Sequence, residues 1–232
     1  MDLSPDTIIY WRWGAIVVNA TLVFSWVVMG ILVIGSWLIT RNLSTEPKMS
    51  RWQNALETIV SVTQSQIRDI SQQKPGPYLP FIGTLFLFIS LSNLLGVVPF
   101  FESPTSSLST TAALALCVFV AVPVFGIAQE GLRNYLKHYI EPTPIMAPFH
   151  IISEISRTFA LAVRLFGNVM SGSLIAAILL MIVPLFVPVA LKLLELLIGQ
   201  IQAYIFAVLA MVYITSAISA HEDEARKSED ND

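Results

Sequence analysis

The chain has 232 residues, 55% of them apolar and only 12% charged, with a mean hydropathy of +0.70. Soluble domains carry roughly 25% charged residues, so this balance excludes an ordinary soluble globule and predicts an all-α integral membrane protein. The net charge is −3, but residues 221–232 hold six acids and two bases, which leaves the rest of the chain near +1 and excludes the electrostatic footprint of a nucleic-acid binder.

Five stretches have no charged side chain: 13–40, 75–101, 103–129, 165–191 and 196–220. Each exceeds the roughly 20 residues that a helix needs to cross a hydrocarbon core. The pattern predicts one membrane domain over 1–232 with a first span at 11–40, a second at 77–101, a third at 106–130, a fourth helix at 145–183 and a fifth at 186–219. The acidic tail occupies 220–232. The N-terminus has no basic segment and no small-residue cleavage site before its apolar run, so no removable signal peptide is expected.

Between the first two spans, residues 50–73 predict an amphipathic helix on the basic side of the membrane, with Leu56, Ile59, Val60 and Ile67 apolar among polar neighbours. Arg41, Lys48, Arg51, Arg68 and Lys74 mark that side. The connection around Glu102 has no Lys or Arg, the next carries Arg133, Lys137 and His138, and the turn at 183–188 is uncharged. By the positive-inside rule this alternation puts the N-terminus outside and the C-terminus in the cytoplasm. No internal repeat of the kind that marks many secondary transporters is found.

The fourth helix contains the residue that most needs explaining. Arg164 is the only charge between Ala160 and Leu191. A guanidinium stays ionised, and at mid-bilayer it costs about 2.5–3.5 kcal/mol on insertion scales. Ser153, Arg157, Arg164, Asn168 and Ser171 recur at helical spacing and form one polar stripe. Arg157, two turns nearer the basic end, is placed to snorkel to the interface.

The fifth helix has a similar stripe, with Lys192, Glu195, Gln202, Tyr213 and Ser216 in a sector of about 120°. Pro184 and Pro188 bracket the intervening turn, so the two helices are expected to form an antiparallel hairpin with facing stripes. Counted from the turn, Gln202 and Arg164 differ in depth by about 9 Å, a gap that tilt and a long side chain can span. Two readings of Arg164 and Glu195 stand here: a buried ion pair holding the hairpin together, or the two ends of an ion route. Asn168, Ser171, Gln202 and Asn93 fit either hydrogen-bonded helix contacts or parts of that route.

Other chemistry finds no support. Cys117 is alone, the histidines at 138, 150 and 221 lack ligand spacing, and no phosphate-binding loop, nucleophile elbow or paired catalytic carboxylates occur. No cofactor, metal or covalent reaction is expected.

The run ISRTFALAVRLFGNVMSGSLI, followed by IGQIQAYIFAVLAMVYI, resembles subunit a of the F-type ATP synthase, the stator of its membrane sector. NLLGVVP, PTSSLSTTAALAL and GLRNYLKHYIEPTPIMAP are similar to the same family, and together these segments cover most of 75–218. The resemblance implies that Arg164 takes the place of the family's essential arginine and Gln202 that of its partner glutamine. It implies that Glu195 occupies a polar half-channel position, where some members have histidine, and that Asn168, Ser171, Ser173 and Asn93 contribute to ion translocation. This chain departs from the family pattern at Ser173, where many members have an acid, at Ser107 and Ser109, and at Thr158.

The implied fold sets the last two long helices against a rotor ring, and the implied role is non-catalytic. Two half-channels would lead to the carboxylates of a c-subunit ring, with ATP chemistry on the F1 sector, reached through the stalks and the peripheral-stalk b subunits. Lipid is the remaining partner. The resemblance favours proton coupling in a bacterial inner membrane or a thylakoid-type membrane. The alternatives are the same role with sodium and a self-contained secondary ion transporter.

Overall fold

A computed structural model describes residues 9–13, 16–41, 51–71, 77–98, 101–131, 147–182 and 187–229. Among them a small ribbon, β1 (Ile9–Trp13) and β2 (Ile16–Asn19), precedes six helices. These are α1 (Ala20–Thr40), α2 (Arg51–Ser71), α3 (Leu79–Leu95), α4 (Leu108–Glu130), α5 (Ala147–Ile182) and α6 (Val187–Glu229). Among the described residues, four apolar stretches are long enough to cross a membrane: Ala20–Thr40, Leu108–Gln129, Pro148–Leu179 and Val189–Ser216. The chain is a multi-pass helical membrane protein. The expected second span, at 77–101, is α3, apolar but with only 17 residues, about 26 Å of helix rise.

The start of the first expected span is not helical. Ile9 pairs with Asn19 and Trp13 with Ile16 in an antiparallel ribbon, and the helix begins only at Ala20 behind an extended Asn19. The local composition accounts for this: β1 holds Tyr10, Trp11 and Trp13 and β2 the β-branched Ile16, Val17 and Val18, residue types that favour strands. The remaining 21 residues of α1 still provide about 32 Å. At the other end, α6 runs on to Glu229 through the segment expected as a tail, whose Ala, Glu, Arg and Lys are good helix formers.

The core lies between α3, α4, α5 and α6. It contains Ile82, Leu85 and Ile89 from α3, Ala115, Val118 and Val122 from α4, Leu161 and Leu165 from α5, and Ala203, Phe206, Ala210, Met211 and Ile214 from α6. Alanines on three of the helices let the backbones approach closely, as helix packing in lipid requires. Pro123 sits within α4, and the neighbouring helices tolerate it in a membrane bundle. By contrast α1 is peripheral, with Trp26, Val33, Ile34, Trp37 and Leu38 exposed.

Helix α2 packs beside α3 and α6 through a limited face. Ile67 is buried in the core, Ile59 is half-buried and Val60 is exposed, while the Leu56 side chain lies outside the described residues. Tyr204 Oη donates to Gln66 Oε1 at 2.7 Å and ties α2 to α6. At the same end of the bundle, Gln129 Nε2 donates to Tyr78 Oη, joining α4 to the start of α3.

Candidate functional site

The polar side chains of α3 and α6 are pinned to one another before any site forms. Ser90 Oγ donates to Gln200 Oε1 at 2.5 Å, and Gln200 Nε2 donates back to the Ser90 carbonyl at 3.0 Å. One turn on, Asn93 Nδ2 donates to the Gly199 carbonyl at 2.8 Å. Asn93 Oδ1 accepts from Thr105 Oγ1 at 2.8 Å, and Ser103 Oγ lies 2.7 Å from Thr105 Oγ1 and donates to the Ser92 carbonyl at 3.0 Å. Residues 101–107 thereby fold over the C-terminal end of α3. Gly199 is needed for this approach: a Cβ there would lie 3.1 Å from the Cβ, Cγ and Nδ2 atoms of Asn93.

This pinning sets the rotation of α6, which turns its polar stripe inward. Gln202 is 2% exposed, and its Oε1 accepts from Asn168 Nδ2 of α5 at 2.7 Å. Two turns nearer its N-terminus, Glu195 lies against Gly172 of α5, where a Cβ would sit 3.1 Å from Glu195 Cγ and 3.3 Å from Cδ. The contacts 168 to 202 and 172 to 195 run in antiparallel order along the two helices.

A cavity of about 380 Å³ opens between α3, α5, α6 and the 101–107 loop. Asn93, Asn168, Ser171, Ser173 and Glu195 line it, so five of the seven residues expected from sequence share one space. Gln202 adjoins it through Asn168. Glu102, Lys192, Ser103 and Ser106 line it as well. No sequence signal gives Ser103 and Ser106 a place here, because the fold-back of their loop brings them in. Glu102 is the only acid in a connection without bases, and Lys192 is on the α6 stripe, so both carried a signal. Ser107 and Ser109, whose hydroxyls lie 2.6 Å apart, are not among the cavity lining.

The expected facing of the two stripes holds in part. On α5, Asn168 reaches across to Gln202 and Ser171 lines the cavity, while Ser153, Arg157 and Arg164 are exposed. The buried face of α5 includes Leu161, Ala162, Leu165, Val169 and Ala176, and it leaves Arg164 on the outside of the bundle. Arg157 is capped by an aromatic face, its guanidinium 5.6 Å from the centre of the Tyr213 ring, a cation–π arrangement.

Arg164 is exposed on the outside of α5 and has no hydrogen bond or ion pair among the described residues. The buried ion pair between Arg164 and Glu195 does not occur. Glu195 Oε2 is instead 2.9 Å from Lys192 Nζ, one turn away on its own helix. Arg164 is one turn beyond Asn168, about 6 Å of helix rise past the level of Gln202.

The architecture defines a class: a multi-pass helical membrane protein with a cavity of mixed polar and apolar lining between its longest helices, and a guanidinium exposed on the outside of the bundle that has no partner among the described residues. The chain belongs to the ATP synthase A chain family, whose family model matches residues 22–215. It is 64% identical over 222 residues to ATP synthase subunit a 1 of Crocosphaera subtropica, covering 96% of each chain. It is 59% identical over 217 residues to ATP synthase subunit a 2 of Acaryochloris marina, covering 94% of this chain and 93% of that one. With ATP synthase subunit a of Albidiferax ferrireducens the identity is 56% over 229 residues, covering 99% of each.

Proposed function

We propose that this chain is the ion-translocating stator subunit of the membrane sector of a rotary F-type ATP synthase. In this reading it passes protons to and from the carboxylates of a c-subunit ring, and its partners include peripheral-stalk b subunits and, through the stalks, the F1 sector that carries out ATP chemistry. The chain itself is a non-catalytic channel component. It crosses the membrane five times, with α3 as the short crossing, its N-terminus outside and its C-terminus in the bacterial cytoplasm. The α5 and α6 helices form the hairpin that faces the ring.

The observation that carries this reading is Arg164. An ionised group at that depth is costly when left against lipid, and among the described residues none neutralises it. A carboxylate supplied by another subunit accounts for both its exposure and its lack of a partner. Beside a guanidinium a carboxylate is held ionised, so a ring carboxylate arriving there gives up its proton, while a protonated one gains little. The same positive charge repels a cation that would leak straight between the two half-channels.

The cavity lined by Glu195, Asn168, Ser171, Ser173 and Asn93 supplies the outward half-channel in this reading, because its lining includes the C-terminal end of α3 and the connection around Glu102, which carries no Lys or Arg. Gln202, hydrogen-bonded to Asn168, stands between the cavity and the level of Arg164. Polar side chains from three elements keep that route wet inside an otherwise apolar bundle.

ATP-driven acidification of vesicles containing the reconstituted complex tests the reading, run with and without a protonophore and across a sodium titration. Acidification by the wild type that is insensitive to sodium and absent in Arg164→Ala, with the variant chain still inserted and still retaining the ring, is the expected result. Coupled pumping by Arg164→Ala at the wild-type rate overturns the role of Arg164. Sodium uptake that a protonophore stimulates keeps the rotary reading and changes the ion.

A further inference from the structure

We infer that Lys192 is a tethered cation that competes with the transported ion for Glu195, and so sets the external cation concentration at which the outward cavity half-fills. This rests on the outward half-channel reading given above. Among the described residues, the cavity holds three ionisable side chains: Lys192 and Glu195 from α6, and Glu102 from the connection after α3. The α5 wall contributes Asn168, Ser171, Gly172 and Ser173, and the α3 end contributes Asn93 with Ser103 and Ser106 beyond it, none of them charged.

Glu195 is confined on two sides. Gly172 lets its carboxyl lie flat against α5, and Lys192 Nζ holds Oε2 at 2.9 Å. A cation bound at that carboxylate has to share or displace the ammonium already there. The lysine side chain is 40% exposed and that of the glutamate 21%, so the ammonium has room to leave while the carboxylate stays in place. A site that is blocked for a fraction of the time binds with its affinity reduced by that fraction. Lysine suits this role as a compact charge on a flexible stem.

The test uses the complete ATP synthase in proteoliposomes under an imposed voltage, with synthesis rate measured against external proton concentration and, separately, external sodium. Lys192→Gln is expected to lower the half-saturating concentration of the coupling cation roughly three- to tenfold, the size of change that freeing a mostly blocked site produces. Lys192→Arg should restore the wild-type midpoint, and Lys192→Gln combined with Glu195→Gln should behave as Glu195→Gln alone. Lys192→Met provides a second neutral variant should the glutamine variant assemble poorly. A midpoint unmoved by either neutral variant, while Glu195→Gln does move it, overturns the competition and leaves the half-channel reading intact. A midpoint that Glu195→Gln also fails to move overturns both.

Discussion

Two polar stripes of similar composition, on neighbouring helices, meet opposite fates. The α6 stripe is turned inward: Gln202 is buried against Asn168, and Glu195 is paired with Lys192 beside Gly172. Much of the α5 stripe is turned outward: Arg164 stands exposed and unpaired among the described residues, and Ser153 and Arg157 are exposed with it. A stripe satisfied within the chain can be accounted for by packing and by a water-accessible cavity. One that leaves a fixed charge unsatisfied among the described residues is what the proposed function assigns to a partner subunit, and this asymmetry underlies that reading of α5.

The sharpest break of the comparison is at Arg164 itself. Lysine keeps the charge but loses the planar, weakly hydrated fork. Arg164→Lys is therefore expected to reduce ATP-driven pumping to background, nearly as severely as alanine, with insertion unchanged. A lysine variant that pumps at more than about a tenth of the wild-type rate, a deficit of under about 1.4 kcal/mol in barrier height, would show that charge alone suffices.

On the satisfied side the effects should appear as stability. Asn93→Leu keeps the approximate volume but removes the donor to the Gly199 carbonyl and the acceptor of the Thr105 hydroxyl. Leaving two buried groups short of partners should cost about 2–3 kcal/mol, read as a lower unfolding midpoint of the purified chain in detergent. Gly199→Ala tests the same junction from the other helix. Its Cβ would press on Asn93 at 3.1 Å, and such overpacking should cost about 1–2 kcal/mol. A stability unaffected by both changes would mean that α3 does not set the rotation of α6.

The comparison also separates what a sequence reveals from what it conceals. The membrane class is legible because charge-free runs of this length have few other uses, and Arg164 is legible because one charge in such a run is conspicuous. The gathering of Asn93, Asn168, Ser171, Ser173 and Glu195 around one cavity follows helical spacing and a family resemblance. Which neighbour each group takes is not legible. Arg164 and Glu195 suit each other by charge, yet the burial of Leu161 and Leu165 fixes the rotation of α5 and carries the arginine away. Lys192, only three residues from Glu195, reaches the carboxylate first. The ribbon at Ile9–Asn19 is missed for another reason: an uncharged run rich in Ile, Val and Trp is compatible with a strand as well as with a helix.

The smallest expected effect distinguishes lining from holding. Ser171 lines the cavity, but its hydroxyl donates to the Asn168 carbonyl of its own helix at 3.2 Å and the residue is exposed. Its removal strands no buried group, so Ser171→Ala should change stability by less than about 0.5 kcal/mol, as exposed substitutions usually do. Ser103→Ala, which removes the donor to the Ser92 carbonyl and a neighbour of Thr105, should cost about 1 kcal/mol. Equal losses for the two serines would indicate that the cavity lining contributes to holding the fold as much as the buried network does. A difference in this order, with slowed transport in Ser171→Ala alone, would tie the cavity lining to ion movement and the buried network to the scaffold that positions it.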